Sequence, residues 1–160
     1  MPLPSIEIER KFLVTKLPDD LDRHPADHVE QGYLAIAEDG VEVRLRRRAG
    51  RTVLTVKSGP AHVRVEEEMP IEPERFEALW PLTEGRRVVK TRYLVPAGEG
   101  LTVELDLYAE NLDGLITAEI EFPSEAVSAA FEPPAWLGAD ITGDARYANQ
   151  SLALHGIPPR

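Results

Sequence analysis

From Ile6 to Phe122 apolar residues return at every second position with charged residues between them, and this alternation constrains the fold more than any other feature of the chain. A period of two is the pattern of strands with one greasy face and one polar face. Asp39-Gly40, Ala49-Gly50 and Asp113-Gly114 punctuate it at hairpin spacing, so the body reads as antiparallel sheet. In "SIEIERKFLV", Glu7, Glu9 and Lys11 share one side while Ile6, Ile8 and Phe12 share the other. The split recurs in "VEVRLRRR", where Glu42, Arg44, Arg46 and Arg48 oppose Val41, Val43 and Leu45. In "VLTVKS", Lys57 shares a face with Val53 and Thr55, and in "VRVEEEM" Arg64, Glu66 and Glu68 oppose Val63, Val65 and Met69. Lys90 and Arg92 oppose Val89, Thr91 and Tyr93. Glu104 and Asp106 oppose Val103, Leu105 and Leu107, and Glu119 and Glu121 oppose Ala118, Ile120 and Phe122.

Any one such strand is ordinarily part of a one-sided sheet whose charged face is bathed in water. The set differs, because like charges repeatedly occupy neighbouring positions on one face, acids on some strands and bases on others. Like charges so close repel, and the arrangement is stabilised by something of opposite sign between them: a metal ion for the carboxylates, a polyanion for the Lys and Arg groups. If the sheet curls with its charged face inward, the interior becomes a charged tunnel. Hard cations such as Mg²⁺ or Mn²⁺ prefer carboxylate oxygens, and phosphoryl oxygens prefer guanidinium forks and ammonium groups, so such a lining suits a metal-bound polyphosphate. Periodicity alone does not choose between this tunnel and an open sheet with its charges in solvent.

At 160 residues the chain is expected to form one domain with one substantial core. Helical signals are few. Pro73 stands where a first helical residue belongs, ahead of Phe76, Leu79 and Trp80, and Pro81 stops the run. A short helix is expected from Ser124 to Phe131, and a last one over about 142–156, carrying Tyr147, Leu152 and Leu154 before Gly156. The polar stretch from Asp19 to Asp27 reads as loop. A net charge of -10 argues against a general nucleic-acid or anionic-membrane surface, so an anion must find a local basic patch. No stretch approaches the ~20 apolar residues of a membrane span, and a cytoplasmic location is expected. Without cysteine there is no disulfide framework, thiolate metal site or cysteine nucleophile. His24 and His28 are four apart, but Pro25 between them opposes a helical metal site.

Glu7-Ile8-Glu9-Arg10-Lys11 matches the ExExK signature of the CYTH superfamily, the triphosphate tunnel metalloenzymes. The resemblance continues in order through "QGYL", "VRLR", "LTVKS", "EEEMPI", "EGRRVVKTRY", "VELDLY", "AEIEF" and "DARYANQSLA", covering nearly the whole chain. Length and phrases are most similar to the short bacterial members that act as inorganic triphosphatases. The resemblance implies a mainly β fold: an eight-stranded antiparallel tunnel-like barrel with a charged interior and a few short helices outside. It implies hydrolysis of the terminal phosphate of inorganic triphosphate with Mg²⁺ or Mn²⁺, two ions being expected. Glu7 and Glu9 would serve metal binding with Glu119 and Glu121, and Glu66, Glu68, Glu104 and Asp106 would complete a second metal site or orient its waters. Lys11, Arg44, Arg46, Lys57, Lys90 and Arg92 would hold the phosphates.

Arg48 and Glu42 lie on the same faces, nearer the strand ends, and stand outside this set; Arg47, Glu67 and Arg86 are expected at the surface. Tyr33 is either a packing residue or, with Lys11, a catalytic one. A phenol near pKa 10 accepts a proton at neutral pH only where cations depress it. The last helix, with Arg146 and Tyr147, resembles a segment that closes one tunnel mouth, and equally reads as a helix packed for stability. Adenylate cyclase and thiamine triphosphatase are the alternatives on the same fold, and a polyphosphate-binding module is the non-enzymatic one. Apolar outer strands allow a homodimer.

Overall fold

The structure is a computed structural model and describes residues 8–58 and 65–159; Glu7, Val63 and Arg64 lie outside the described residues. Alternation produces the strands β1 (Ile8–Val14), β2 (Ala26–Ile36), β3 (Glu42–Arg48), β4 (Arg51–Lys57) and β5 (Glu66–Pro70). They are followed by β6 (Arg87–Pro96), β7 (Thr102–Tyr108), β8 (Ile116–Phe122) and β9 (Leu137–Asp140). All pair antiparallel in one sheet of order β5-β4-β3-β2-β6-β7-β8-β1-β9. The expected antiparallel, tunnel-like β architecture is found, with nine strands among the described residues in place of eight, in a curled sheet that has β5 and β9 at its edges. The additional strand is β9, which pairs Phe12 with Asp140 and Val14 with Leu137. It is four residues long, contains Gly138 and has no alternation, so nothing in its composition announces a strand.

Among the described residues three short helices decorate the sheet: α1 (Pro73–Leu79), α2 (Glu125–Ala130) and α3 (Asn149–His155). Ser124 caps α2, its hydroxyl accepting from the Val127 amide at 3.1 Å. The last helix is shorter than expected, because Ala148 is extended and separates α3 from a 3₁₀ turn at Ala145–Tyr147; Gly156 ends it as expected. A further 3₁₀ turn, Leu21–Arg23, interrupts the stretch read as loop. Among the described residues no helix is long and apolar enough to cross a membrane.

The apolar faces point outward and are largely covered, Met69 on edge strand β5 being left exposed. Phe12, Val103, Leu105, Ala118 and Ile120 form the centre of one core, closed over by Leu17, Leu21, Val127, Phe131 and Trp136. Each fully buried side chain of this kind stabilises the fold by about 1.5–3 kcal/mol. Arg10, on the outer face of β1, donates to the Ser128 and Phe131 carbonyls at 3.1 and 3.3 Å and so ties the end of α2 to the sheet. Around β2 and β3 the outer cover is α1: Phe76 is fully buried, stacks on Trp80, and carries the Arg47 guanidinium 4.5 Å over its ring. Gly32 is required there, since a Cβ would stand 2.6 Å from Thr83.

The inward faces change character along the tunnel. At one end, residues with tunnel-facing parity are apolar or aromatic: Leu13, Tyr33, Val88 and Tyr108. Tyr33, Val88 and Tyr108 pack with Tyr147, Leu152 and Ala153 into a second core, with Leu13 partly buried against it. The 3₁₀ turn and α3 thus plug this end. The charged residues line what remains, and the opposite end is the mouth.

Candidate active site

Strand register decides which inward charges meet. Glu9 stands opposite Glu121, Lys11 opposite Glu119, and Glu104 opposite Glu119, all across β1, β8 and β7. Arg92 stands opposite Asp106, and Arg44 opposite Tyr33. The result is a cavity of about 410 Å³ lined by Glu9, Glu104, Glu119 and Glu121 on one wall. On the other wall are Arg44, Arg46, Arg48, Lys57, Lys90 and Arg92, with Val29, Gln31 and Asn149 between. The acids all come from β1, β7 and β8, and the bases from β3, β4 and β6. The cavity therefore has an acidic wall facing a basic wall.

The basic wall is anchored by a buried ion triad. Asp106 is 3% exposed; its Oδ2 accepts from Lys90 Nζ at 2.8 Å and Arg92 Nη2 at 2.9 Å, and its Oδ1 from Arg92 Nε at 2.7 Å. Arg92 also reaches Glu104 at 2.5 Å. Burial alone would raise the Asp106 carboxyl, but the Arg92 hydrogen bonds and the Lys90 and Arg92 charges outweigh it and hold the pKa below the ordinary value. Lys90 goes down as well, because burial and the neighbouring Arg92 and Lys11 charges outweigh the pull of Asp106. Arg46 is lowered by burial and by Arg44 beside it. Lys90 and Arg92 thus share Asp106, and Arg92 leans on Glu104 as well.

Asp106 has the parity of Glu104 but is consumed by its two basic neighbours. Glu66 and Glu68 likewise lie on the far side of the sheet from the acidic wall, on edge strand β5. Glu66 stands 3.7 Å from Lys57 and 4.0 Å from Arg44, and Glu68 stands 3.8 Å from Arg46. Both are half exposed and act as counter-ions to the basic wall. Lys11 is the inward-facing base of β1 and donates from Nζ to the Tyr147 carbonyl at 2.8 Å, at the plugged end. Among the described residues no group of three or more His, Asp or Glu side chains is assembled closely enough to hold a metal ion. The oxygen chemistry for one is present in the Glu9–Glu121 and Glu104–Glu119 pairs, where like charges face each other in register.

Tyr33 is 1% exposed and its hydroxyl accepts from Gln31 Nε2 at 3.2 Å. Burial, reinforced by Glu42, pushes the phenol up despite Arg44. It is protonated at neutral pH and is suited to donating rather than accepting a proton. Behind it the β2–β3 register shifts between Tyr33 and Ala35, and Arg86 donates to the carbonyls of Tyr33 at 3.0 Å and Leu82 at 2.8 Å. Arg86 thus closes this bulge rather than standing free at the surface. Arg47 is on the outer face as expected, bridging Glu30 and Glu77. Arg48, left outside the expected set, lines the cavity; its parity with Arg44 and Arg46 was the available signal. Gln31 was legible in the same way, two residues from Tyr33.

No family model matches the chain. Two curated proteins are similar over almost its full length. The inorganic triphosphatase of Nitrosomonas europaea is 46% identical over 149 residues, 92% of this chain and 97% of that protein. The inorganic triphosphatase of Acetivibrio thermocellus is 38% identical over 151 residues, 91% of this chain and 92% of that protein. Among solved structures, the crystal structure of the inorganic triphosphatase NE1496 superposes with a TM-score of 0.83 at 44% identity, covering 94% of this chain and 96% of that one. These likenesses agree with the tunnel-enzyme resemblance and with the charged interior just described. The chain belongs to the family of the inorganic triphosphatases.

Proposed function

We propose that this chain hydrolyses inorganic triphosphate inside the tunnel, assisted by Mg²⁺ or Mn²⁺. The observation that carries the reading is the separation of charge: carboxylates on β1, β7 and β8 face bases on β3, β4 and β6 across one cavity. A bare anion fits only one wall, whereas a triphosphate with bound cations complements both. Arg44, Arg46, Lys57, Lys90 and Arg92 hold the phosphoryl oxygens, the guanidinium forks supplying paired charge-assisted bonds. Asp106 keeps Lys90 and Arg92 in place. Glu9, Glu104, Glu119 and Glu121, with Glu7 of the same signature, supply the cation's oxygens. A divalent cation bound there neutralises charge developing on the phosphate and lowers the pKa of its water.

In the overall step water adds to the terminal phosphorus, the adjoining P–O–P bond breaks, pyrophosphate leaves and orthophosphate is formed. Lys11, which lies toward the plugged end, is placed to receive the terminal phosphoryl group by exchanging the Tyr147 carbonyl for a phosphate oxygen. Tyr33 holds Gln31 at the same end. Orthophosphate release from tripolyphosphate, ATP and thiamine triphosphate, each with Mg²⁺, with Mn²⁺ and with chelator, tests the whole reading. Metal-dependent release, fastest from tripolyphosphate, is expected. Cyclic nucleotide from ATP would replace it with a cyclase, and tight binding without release would replace it with a polyphosphate-binding module.

A further inference from the structure

One side chain of the plug enters the tunnel cavity. Among the described residues that line it, all but Asn149 stand on β1 to β4 and β6 to β8, whereas Asn149 is the first residue of α3 and faces the cavity from the plugged end. The backbone there is fixed on both sides. Tyr147 and Leu152 are buried in the second core, the Leu152 amide donates to the Ala148 carbonyl at 2.9 Å, and the Tyr147 carbonyl accepts from Lys11. Asn149 is half-buried, and its carboxamide makes no hydrogen bond among the described residues. Gln31, the other carboxamide in the lining, lies on β2 and is committed to the Tyr33 hydroxyl. Asn149 is therefore a polar group held on a rigid segment and left with its hydrogen-bonding capacity unused, which is what placing a small polar molecule requires.

We infer that Asn149 positions the attacking water, a role that rests on the triphosphatase reading and adds a residue to it. In-line displacement brings the water to the terminal phosphorus from the side opposite the bridging oxygen. With the terminal phosphoryl group at Lys11 and the rest of the substrate toward the mouth, that side is the plug. A carboxamide suits the task, because its oxygen accepts from the water and leaves a lone pair free for phosphorus, while its NH₂ donates to a phosphoryl oxygen. The Lys and Arg groups of the basic wall only donate and would tie up the lone pair that the attack needs. A carboxylate would accept from the water but repel the phosphoryl oxygens. In the step the water oxygen bonds to the terminal phosphorus, and the bond to the bridging oxygen breaks with its electron pair going to pyrophosphate. Both protons of the water leave on orthophosphate, and Asn149 neither gains nor loses one.

Turnover of tripolyphosphate with Mg²⁺, together with calorimetric affinity for the slowly hydrolysed analogue imidotriphosphate, separates positioning from binding. N149A should lower kcat about 10²-fold, as loss of a near-attack geometry does, with KM and analogue affinity near the parent's values. N149S keeps a hydroxyl that can accept from the water and should regain about tenfold of that loss. Pyrophosphate with aluminium fluoride and Mg²⁺ mimics the phosphoryl group in flight with its axial water, and it should bind N149A more weakly by about the factor lost in kcat. A near-parental kcat in N149A, or an analogue affinity that falls as far as kcat in both variants, would make Asn149 a bystander or a packing residue and overturn the inference. Turnover by the parent would leave the triphosphatase reading standing in either case. No orthophosphate from the parent would overturn that reading itself.

Discussion

Replacing Asp106 with asparagine separates a counter-ion from a metal ligand. The carboxylate is 3% exposed and takes Lys90 Nζ at 2.8 Å, besides two bonds from Arg92. At an effective dielectric constant of about 20 a pair at that distance attracts by roughly 6 kcal/mol before desolvation. Breaking a buried pair by removing one partner costs about 3–5 kcal/mol, because the remaining charge is left uncompensated. D106N keeps the shape and one acceptor oxygen, so a loss near 3 kcal/mol at pH 7 is expected, a fall of roughly 6–12 °C in Tm for a chain of this size. The pH dependence adds a second signature. The native carboxyl lies below its ordinary 3.8, so the contribution of Asp106 is complete above about pH 4 and disappears as the pH falls through the native value. The stability gap between the two proteins should therefore be flat near neutrality and close in acid. Urea denaturation from pH 3 to 8 measures both. A D106N protein within 1 kcal/mol of the parent, with its defect confined to Mg²⁺ affinity, would show that Asp106 is a ligand and that the triad reading is wrong.

Glu121→Gln should lower Mg²⁺-dependent turnover by about 10²- to 10³-fold with an unchanged melting curve; normal turnover would remove Glu121 from the site. Tyr33→Phe loses the phenol's contacts with Gln31 and Arg44, about 1–2 kcal/mol of stability, and should keep turnover within about tenfold, because the phenol is protonated at working pH. A loss beyond 10³-fold in stopped assays would restore it as a proton acceptor. Triphosphate affinity should fall as the pH rises through the native pKa of Lys90, which is below the ordinary 10.5, and K90R should remove that limb in calorimetric titrations. Leu152→Ala, at a fully buried position of the plug, should cost about 2–5 kcal/mol in denaturant melts; a cost under 1 kcal/mol would mean that α3 does not seal the tunnel end.

Alternation made the inner and outer faces legible, because side-chain parity is a local property of a strand. It told which residues look into the tunnel, including Arg48, but not which residues meet there. That depends on register, and register is set by turns and by packing far along the chain. Glu104 and Asp106 show the difference: both have the inward parity, yet Asp106 is buried between Arg92 and Lys90, while Glu104 falls opposite Glu119 and reaches Arg92 alone. Glu66 and Glu68 read as acids like the rest, but the sheet order puts β5 next to β4, so they meet bases. The plug was half visible. Leu13, Tyr33, Val88 and Tyr108 interrupt the inward charges with apolar groups, a signal that one end of the tunnel needs a cover. Strand β9 was invisible, since its four residues are held by β1 and by their place in the chain rather than by any pattern of their own.

A chain of net charge -10 that takes a polyanion must overcome long-range repulsion, and the two-walled cavity bears on how. The basic wall is held in place by Asp106, Glu66 and Glu68, which keep its cations from scattering without cancelling them. The acidic wall, with Glu9 opposite Glu121 and Glu104 opposite Glu119, repels a phosphate that arrives alone. Under the proposed function the two walls are therefore coupled: a divalent cation on the acids lowers the barrier to triphosphate, and triphosphate on the bases raises affinity for the cation by the same factor. Neutralising the acidic wall by mutation should then separate binding from turnover. A Glu104→Gln/Glu119→Gln protein should bind triphosphate more tightly than the parent in chelator, while losing the gain that Mg²⁺ gives the parent. Weaker binding in chelator would mean that these carboxylates support the basic wall rather than oppose it.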